Sequence, residues 1–500
     1  MEKNKTTIFV ILACILLIGI TVSFAYYLAS IQGEGKSITL KSKNLKITFT
    51  ESNNLSGENI SLGWSKTSTF TVKNEGSNSY TYNIVIKDLV DTFVTTGNLQ
   101  YKITSTDGGY NMTDFKDIPK SSVATNKNIA TNITIAGNGT HTYTILFTYK
   151  NSEDNQAEDM GKTLSGQIII DEYTIPTLAE QLLEDNPTIS TRSDFSKAFT
   201  TTNTGTLYTS TESIAGATPK TVYYFAGNAK NNWVKIGIYY WRIIRTNHDG
   251  SIRLLFSGTS TDTTKGYLGK YGYNTSTNSP KYVGYMYGNT DSTLDEIRGN
   301  DARSNAYGLL SNWFVQTVNS KYSNYLSKDA VYCNDRELAN GYSYSLNGNF
   351  YFKAYDRLEK SKNPTYDCTN NKDAFSVNNT ETKFTLAVGL MTADEVIFAG
   401  GSVAEEMSYP FTWYYNNATD GQSIIDTDGF WTMTPSGYNA GTANMYYVNY
   451  SVLNGGLGAD GVNLSNIATR PVTSLKSCIL WSKGDGSASN PYEIVENGGC

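Results

Sequence analysis

The stretch WTMTPSGYNAGTANMYYVNYSVLNGGLGADGVNLSNIATRPVTSL, residues 431–475, decides the fold of the C-terminal part of the chain. Residues 444–452 and 462–467 are short runs rich in aromatic and β-branched side chains, a composition typical of strands. Glycines concentrate in residues 455–461, which predicts a turn between the two runs. The aromatic start of the stretch leads into a predicted Pro-Gly turn at 434–437. The stretch therefore predicts a domain built on short strands.

The two ends of this stretch carry a resemblance to a known architecture. It opens with Trp431 and Pro435 and closes with Arg470-Pro471-Val472. The order W-x-x-x-P … R-P-[AV]-x-x-L resembles the end of bacterial cell-surface domains with a C-type-lectin-like fold. The resemblance implies an α+β domain outside the cell, in an architecture whose members mostly have no assigned activity. For Arg470 itself we expect a structural ion pair at the start of a strand.

The composition of the chain excludes several classes of function. A length of 500 residues predicts two to three domains at roughly 150 residues each. Only 17 % of the residues are charged and the net charge is −6, so the Lys/Arg stripe that nucleic-acid binding needs is missing. The histidines, His141 and His248, are too few for a zinc site or a His-activated nucleophile. We expect no nucleic-acid partner, no metal, no cofactor and no enzymatic activity.

The N-terminus predicts a membrane anchor. Residues 8–29 are apolar and uncharged, and Lys3 and Lys5 precede them. A helix of this length rises about 33 Å, enough to cross the hydrocarbon core. The flanking cations predict a single-pass protein of the cell membrane, with its N-terminus in the cytoplasm and its bulk outside the cell. The alternative for residues 1–30 is a signal peptide cleaved after Ala25, which would release a secreted protein.

Residues 31–173 predict an antiparallel β-sandwich. Apolar side chains alternate in residues 80–86 and 143–149, and clusters of Asn, Gly and Ser separate such runs. Several strands without a helical period are typical of a sandwich. The anchor followed by SITLKSKNLKITF and STFTVKNEGSNSYTYNIVI resembles the camelysin-like exported proteins of Gram-positive bacteria, some of which polymerise. The resemblance implies an assembling subunit, and an Ig-like stalk is the alternative.

The rest of the chain predicts a mixed domain. Residues 174–189 predict a helical linker, and residues 190–477 form the predicted C-type-lectin-like domain. An apolar stripe at i, i+3 and i+4 predicts a core helix over 303–326. Strands are predicted at 222–225, 233–245 and 251–258, the last two joined as a hairpin by the Asp-Gly turn at 247–250.

The sequence Thr392-Ala393-Asp394-Glu395 predicts a capping box, with Thr392 as the N-cap of a short helix and Glu395 reaching back to it. Carboxylates that lie together, such as Asp394 and Glu395, are also what a glycosidase needs. Adjacent residues rarely supply both catalytic roles, and the capping box accounts for this motif. We therefore interpret it as structural.

Four of the five cysteines predict disulfides. Cys14 lies inside the N-terminal apolar run, and the other four form two pairs by proximity. In an exported protein such pairs are typical of disulfides rather than metal ligands. Four cysteines allow three pairings, of which we expect Cys333–Cys368 and Cys478–Cys500. The second pairing would close residues 478–500 into a C-terminal hairpin.

Acidic residues near position 420 raise the question of calcium binding. The hard oxygen ligands in this region are Asp420, Asp426, Asp428, Glu405 and Glu406. An EF-hand loop starting at Asp426 would need Glu at its twelfth position, which is Gly437. The triplets with which sugar-binding C-type lectins hold calcium are also missing. We expect an ordinary Asp-Gly turn here.

Tyrosine and asparagine are the candidate ligand-binding residues of the C-terminal domain. Tyrosine offers rigid amphipathic area and asparagine offers paired donors and acceptors, a combination that suits recognition. Because side chains alternate along a strand, we expect about half of these residues to be core and half to be exposed. The predicted ligand contacts are Tyr414, Tyr415, Asn416, Tyr438, Asn439, Tyr447 and Asn449.

Together these features predict an extracellular, surface-anchored binding or adhesion protein. Its C-terminal domain would recognise a glycan or a protein ligand. The alternative is a structural subunit of a surface fibre or matrix, which would self-assemble through the β-sandwich.

Overall fold

A computed structural model gives the fold of the chain. It describes residues 38–42, 45–49, 54–55, 60–152, 156–172, 175–200, 206–318, 321–382, 385–403, 412–416, 423–425, 429–439, 441–449, 453–496 and 500. The predicted anchor at residues 8–29 lies outside these ranges, and so do Cys14 and Ala25. Within these ranges, no helix is both long enough and apolar enough to span a membrane.

The chain divides into two compact units, Met1–Thr174 and Ile175–Cys500. Both units are dominated by strands, and the described helices lie almost entirely in the second unit. The predicted fold class, mainly β with some α, is therefore confirmed at this level. We call Ile175–Cys500 the head.

The first unit is a sandwich of two antiparallel sheets. Its six-stranded sheet has the order β1-β2-β3-β8-β5-β6, and its three-stranded sheet has the order β7-β4-β9. A short 3₁₀ helix, Ala157–Asp159, precedes the last strand. The strands are β1 (Ile38–Ser42), β2 (Leu45–Phe49), β3 (Ser65–Asn74), β4 (Tyr80–Asp91), β5 (Leu99–Ser105), β6 (Lys116–Asp117), β7 (Ser121–Ile135), β8 (Thr140–Tyr149) and β9 (Leu164–Glu172).

Alternating apolar side chains form the core between these two sheets. Ile145 and Phe147 point inward from β8, and Ile84 and Ile168 point inward from the opposite sheet. Burial alternates along β8 as the period-two pattern predicts, with exposed or half-buried threonines between the core residues. The predicted sandwich pattern is therefore present in residues 45–172.

The head is built around a nine-stranded sheet. The main path runs β10-β11-β12-β14-β13-β26-β25, and β14 also pairs with β15, which pairs with β24. Most pairs are antiparallel, whereas β10–β11 and β13–β26 are parallel. The strands are β10 (Ile189–Thr191), β11 (Thr206–Glu212), β12 (Lys220–Ala226), β13 (Trp233–Ile236), β14 (Tyr239–Thr246), β15 (Ile252–Phe256), β24 (Val472–Leu475), β25 (Trp481–Lys483) and β26 (Tyr492–Ile494).

A four-stranded antiparallel sheet and two short ladders complete the β structure of the head. The four-stranded order is β19-β21-β22-β23, and the ladders are β16–β17 and β18–β20. These strands are β16 (Met286–Tyr287), β17 (Ala302–Arg303), β18 (Tyr332–Cys333), β19 (Phe350–Tyr351), β20 (Ala374–Phe375), β21 (Gly429–Asn439), β22 (Thr442–Asn449) and β23 (Leu457–Gly461).

The helices of the head are short and cover the sheets. The α-helices are α1 (Leu178–Asp185), α2 (Leu294–Ile297), α3 (Asn305–Trp313), α4 (Lys353–Tyr355) and α5 (Ala393–Phe398). Two π-helical turns, Phe314–Val318 and Asp356–Lys360, continue α3 and α4. Single 3₁₀ turns lie at Pro280–Val283, Ser323–Tyr325 and Asn371–Asp373.

Two elements of the head differ from the sequence predictions. The run 233–245 is two antiparallel strands instead of one, because Gly237 adopts a positive φ of 60° and turns the chain. The predicted helix over 303–326 ends much earlier, in a π turn at Phe314–Val318. The buried apolar stripe does not extend to Ser323–Tyr325, because no side chain of that segment is buried.

The stretch 431–475 also differs from its prediction. Residues 434–437 lie inside β21, which continues through two register shifts instead of turning. The glycine-rich segment predicted as a turn forms β23, whereas residues 462–467 contain no strand. Small side chains explain the change: Gly458 lies opposite Tyr447 in the ladder, where its missing side chain leaves room for the tyrosine ring.

Both predicted disulfides are present. Cys333 and Cys368 bond across a Cα distance of 5.8 Å, and Cys478 and Cys500 bond across 5.6 Å. The second bond joins the start and the end of the tail, in which β25 and β26 pair antiparallel as the predicted hairpin.

The hairpin β14–β15 places two arginines opposite each other. Arg245 pairs with Arg253 in the ladder, next to a register shift. Directly opposite like charges destabilise a sheet. Glu395 resolves this conflict: its Oε1 accepts a hydrogen bond from Arg245 Nε at 2.9 Å and lies 2.6 Å from Arg253 Nε. One buried carboxylate therefore neutralises charge on both central strands.

The same carboxylate also starts helix α5. Thr392 Oγ1 accepts from the Glu395 backbone N–H at 3.1 Å, and Glu395 Oε2 accepts from the Thr392 N–H at 2.9 Å. The predicted capping box is therefore confirmed, and its glutamate is at the same time the buried anion of the sheet. Glu395 thus fixes the helix to β14 and β15.

We predict that Glu395→Gln destabilises the head by about 3–5 kcal/mol, because it leaves two buried guanidinium groups without their shared anion. Urea unfolding followed by tryptophan fluorescence measures this loss, since six of the seven tryptophans lie beyond residue 230.

Glu493→Gln is the matched control, because Glu493 pairs with a mostly exposed Lys483 at 3.3 Å. An exposed pair contributes about 0–1 kcal/mol. Equal losses for the two variants would contradict the role given to Glu395.

Candidate functional site

The residues predicted as ligand contacts lie mainly in the interior of the head. Asn439 is half-buried. The other six are buried: Tyr414, Tyr415, Asn416, Tyr438, Tyr447 and Asn449. The alternation argument assumed that one face of β22 meets solvent. The structure covers both faces of this strand from Tyr446 to Asn449. These residues therefore do not form the exposed surface that was expected.

Their side chains make hydrogen bonds within the head. Tyr414 donates to the Gly455 carbonyl at 2.8 Å, and Tyr438 donates to the Asn278 carbonyl at 3.2 Å. Asn449 donates to the Tyr447 hydroxyl at 2.7 Å. In this structure the group packs the core and holds neighbouring segments.

An open groove of about 370 Å³ lies elsewhere on the head. We call its apolar lining residues, Ile214, Val331 and Ala374, the floor; Ile214 is half-buried, and Val331 and Ala374 are buried. Its rim is polar and consists of His248, Asp329, Asn371, Ser376, Asn378, Asn379 and Thr380. Ligand sites typically combine a concave apolar surface with a few placed polar groups in this size range. We therefore take this surface, the amide groove, as the candidate site.

The disulfide Cys333–Cys368 holds the floor of the amide groove together. Val331, Cys368 and Ala374 form a small buried cluster, against which Ile214 and Cys333 pack. Ile214 and Cys368 are paired by an isolated parallel bridge, and β18 pairs with β20 at Cys333 and Ala374. Three separate chain segments therefore meet at one covalent cross-link beneath the groove.

Hydrogen bonds fix part of the rim before any ligand arrives. Asn378 Nδ2 donates to Asp329 Oδ1 at 2.7 Å. Asn379 Nδ2 donates to the carbonyls of Asn371 and Ala374 at 2.8 and 2.7 Å. Asn378 and Asn371 themselves remain exposed. The rim thus offers oriented amide groups to solvent, which lowers the ordering cost of binding.

His248 is the titratable group at one end of the rim. Its Nδ1 lies 3.1 Å from Glu212 Oε2, and its backbone N–H donates to the same oxygen. Partial burial of the ring disfavours its charge, but the hydrogen bond and the negative charge of Glu212 outweigh this effect and raise the pKa of His248. The ring also lines the groove, with 23 % of the side chain exposed.

Glu212 connects the groove to the ionic centre of the head. Burial opposes its ionisation, yet the charge of Arg245 and the hydrogen bond from His248 lower the pKa of Glu212 to about 2. Glu212 Oε1 accepts from Arg245 Nη2 at 2.8 Å, and Arg245 binds Glu395 through its Nε. A continuous chain of charges therefore runs from Glu395 to the rim.

A second cavity lies over this ionic centre but is too small for a ligand. Its lining includes Arg245, Arg253 and Arg357, and its volume is about 20 Å³. Such a volume holds about one water molecule. Arg357 is already paired with Asp335 at 2.5 Å and with Asp394 at 2.7 Å. This cavity therefore belongs to the structural core, and Asp394 is a partner of an arginine within it.

Metal binding has little support in the described part of the chain. Within it, no three His, Cys, Asp or Glu side chains come close enough to hold a metal ion. The acidic residues that raised the question of calcium, Asp420, Asp426, Asp428, Glu405 and Glu406, lie outside the described residues.

The groove residues come from a segment that the sequence analysis did not single out. Eight of the ten lining residues lie in the segment from Asp329 to Thr380, before Cys333 or after Cys368. The available signal was the density of Asn just after Cys368, the second of two cysteines expected to bond. The proximity of this segment to His248 depends on tertiary packing, for which there is no local sequence signal.

Comparison of the sequence with protein-family models and with curated proteins finds no match to either.

We predict that the head becomes less stable as the pH rises above about 6.5, the unfolded pKa of His. A group whose pKa is raised by folding stabilises the fold fully below its unfolded value, about 6.5 for His, and this contribution disappears as pH rises through the folded value. His248→Gln should flatten this part of the pH profile of the urea midpoint.

His141→Gln is the control for this measurement. Burial lowers the pKa of His141, which lies in the first unit beside the Tyr82 hydroxyl at 2.9 Å. The variant should leave the fluorescence transition of the head unchanged at every pH. A pH profile that His248→Gln leaves intact would contradict the assignment.

Proposed function

We propose that this protein is an extracellular recognition protein whose amide groove binds a neutral glycan. The observation that supports this proposal is the partly exposed apolar side chain of Ile214 beside a rim of exposed and oriented amides. A pyranose ring has an apolar C–H face and a ring of hydroxyl groups. The two surfaces complement each other in polarity.

The charges around the groove favour a neutral ligand. The rim carries His248, whose pKa Glu212 raises, and the carboxyl of Asp329. A basic and an acidic side chain therefore flank amides that are themselves uncharged. Strongly anionic or cationic glycans would meet one like charge in the site, which costs affinity. A groove of about 370 Å³ accommodates one or two sugar rings.

The location that we propose follows from the chain as a whole. The apolar residues 8–29 support an N-terminal anchor or export signal, and the two disulfides support an oxidising compartment. The head would then face the surroundings of the cell. The binding role needs no catalytic residue and no cofactor.

A glycan array probed with the full chain tests this proposal. We expect binding to neutral oligosaccharides in preference to sulfated ones, and we expect Asn378→Ala to weaken it by about two- to tenfold, because one hydrogen bond contributes about 0.5–1.5 kcal/mol. Asn378 is exposed, so the variant should fold normally.

Asn347→Ala is the matched control, since Asn347 is an exposed turn residue of the head and does not line the groove. Its binding should equal that of the parent protein. Binding that Asn378→Ala leaves unchanged, or preferential binding of sulfated glycans, would contradict the groove as the site.

Assembly through the sandwich is the second candidate function. Strand β7 is 15 residues long and lies at one edge of the three-stranded sheet. Its Val123 is 66 % exposed, and Lys127 is its only charged residue. A long, weakly charged edge strand is a template for pairing with another chain. If β7 pairs with a strand of another copy, we infer that the protein is a self-assembling structural subunit.

Val123→Lys tests the second candidate, because a charge on an edge strand blocks edge-to-edge pairing. If the full chain assembles, light scattering should rise with concentration and this variant should abolish the rise. Leu62→Lys is the control, since Leu62 is 56 % exposed in a turn outside the strand. A rise that Val123→Lys leaves intact would remove β7 as the assembly edge.

A further inference from the structure

The strongly exposed apolar side chains of the first unit lie at one end of its sandwich. Among the described residues of this unit, the large apolar side chains that are more than half exposed are Leu62, Val94, Val123 and Met160. Leu62 precedes β3, Val94 follows β4, Val123 lies near the start of β7, and Met160 precedes β9. We call this end, where β3, β7 and β9 start and β4 and β8 end, the apolar end.

Strand register places these positions at the same end. In the six-stranded sheet, β3 starts where β8 ends, because Ser65 pairs with Thr148. In the three-stranded sheet, β4 ends where β7 and β9 start, because Asp91 pairs with the first residue of each. The ring of Phe93, two residues after β4, lies 5.2 Å from the ring of Tyr149, the last residue of β8. The ends of the two sheets therefore adjoin.

A buried network ties the loops of the apolar end together. The Tyr149 carbonyl accepts from the Gly63 N–H at 3.0 Å, and the Tyr149 hydroxyl donates to Asp159 Oδ2 at 2.8 Å. Asp159 Oδ1 accepts in turn from the Val94 N–H at 2.6 Å. Tyr149 and Asp159 are both buried. The exposed side chains beside these contacts are thus presented by loops that are fixed to one another.

The opposite end of the sandwich is polar. Its described turns include 75–79 and 136–139, which consist of small and polar residues apart from Ala136. Among the described residues there, no large apolar side chain is as exposed as those of the apolar end. Exposed apolar side chains that cluster on one surface mark a contact with a protein or a membrane. The asymmetry therefore points to a partner at one end.

The path of the chain favours a lipid surface as this partner. The first residue of β1, Ile38, pairs with Phe49 on the row of Phe70, and β1 ends on the row of Asn74 at the polar end. The chain therefore enters the sandwich running away from the apolar end. It leaves at the polar end, where β9 finishes with Glu172 beside the start of β4.

The apolar segment 8–29 lies near enough in sequence to place a bilayer at the apolar end. Residues 30–37 join it to β1 and span at most about 29 Å when fully extended. Phe70 lies five residues after Ser65, the start of β3, which corresponds to about 17 Å along the strand. A bilayer that holds residues 8–29 can therefore touch this end of the sandwich.

The composition of the apolar end suits a membrane interface. Trp64, the only tryptophan of the first unit, is half-buried two residues after Leu62, and tryptophan is enriched at membrane–water interfaces. Lys150 and Lys162 are exposed at the same end, together with Glu158. Lysines near a bilayer surface are attracted to anionic lipid headgroups. Apolar, aromatic and cationic groups thus occur together here.

We propose that the apolar end of the sandwich inserts its exposed side chains into the surface of the lipid bilayer that holds residues 8–29. Val94 and Met160 would enter the interface, and Lys150 and Lys162 would meet the headgroups. The contact would fix the orientation of the first unit on the membrane. The proposal rests on the N-terminal anchor proposed above but not on the amide groove, so a failure of glycan binding leaves it intact.

Quenching of a fluorescent label by membrane lipids tests this proposal. The full chain carries Cys14→Ser and Asn151→Cys, so residue 151 is the one reactive thiol, because the other four cysteines form disulfides. Asn151 is exposed just after β8 at the apolar end. The labelled chain is reconstituted in vesicles of phosphatidylcholine and phosphatidylglycerol, with or without nitroxide-labelled lipids. Since apolar groups at an interface lie about 5–10 Å deep, we expect the nitroxide lipids to reduce the fluorescence about twofold.

A label at position 79, introduced as Ser79→Cys, is the matched control. Ser79 is exposed in the turn before β4, at the polar end. Its fluorescence should be the same with and without nitroxide lipids. Equal quenching at positions 79 and 151 would overturn the proposal, because the contact would then not be specific to the apolar end.

The double variant Val94→Thr with Met160→Gln tests the inserted side chains. Both substitutions keep the approximate size of an exposed side chain, so the fold should be retained. We expect the label at position 151 to recover its full fluorescence in nitroxide lipids, while the protein still floats with the vesicles through residues 8–29. Ile238→Gln is the control, since Ile238 is 65 % exposed and lies in the head; the quenching should persist.

Three results would contradict membrane insertion. A label at position 151 that stays bright in a chain that floats would overturn it and leave a second copy or another protein as the partner. Quenching that the double variant retains in full would show that Val94 and Met160 do not carry the contact. A full chain that does not float with the vesicles would remove the anchor from which the position of the bilayer was argued.

Discussion

The head depends on one buried carboxylate. The hairpin β14–β15 brings Arg245 and Arg253 opposite each other, and such a pair would repel in a dry interior. Glu395 lies within 2.9 Å of both side chains and is also the third residue of the helix that Thr392 caps. This one side chain therefore joins the sheet to the helix.

The same arrangement reaches the candidate site. Arg245 binds Glu212 as well as Glu395, and Glu212 holds His248 on the rim of the amide groove. On the opposite side the disulfide Cys333–Cys368 supports the floor. An ionic chain and a covalent cross-link thus hold the groove from two directions, which favours a preformed site over one that must order on binding. This rigidity suits recognition of a small, weakly held ligand such as a glycan.

Sequence predicted those features that depend on neighbours along the chain. The capping box at Thr392, the hairpin turn at 247–250 and the period-two core of the sandwich all follow from local chemistry, and the structure contains them. Features set by tertiary contacts were not predictable. Alternation showed that Tyr447 and Asn449 share a face, but not that packing covers both faces of β22. Likewise, the ion pair expected for Arg470 is not the arrangement found: within the described residues its guanidinium donates to backbone carbonyls, and nothing local to it indicates this.

The most direct test of the account is the NMR signal of the His248 ring in the full chain. The protein has only two histidines, so the His141 ring in the first unit is an internal reference. Addition of the neutral oligosaccharide that binds most tightly on the array should shift the His248 signal and leave that of His141 in place. A bound oligosaccharide that leaves the His248 signal unchanged would contradict the amide groove as the recognition site.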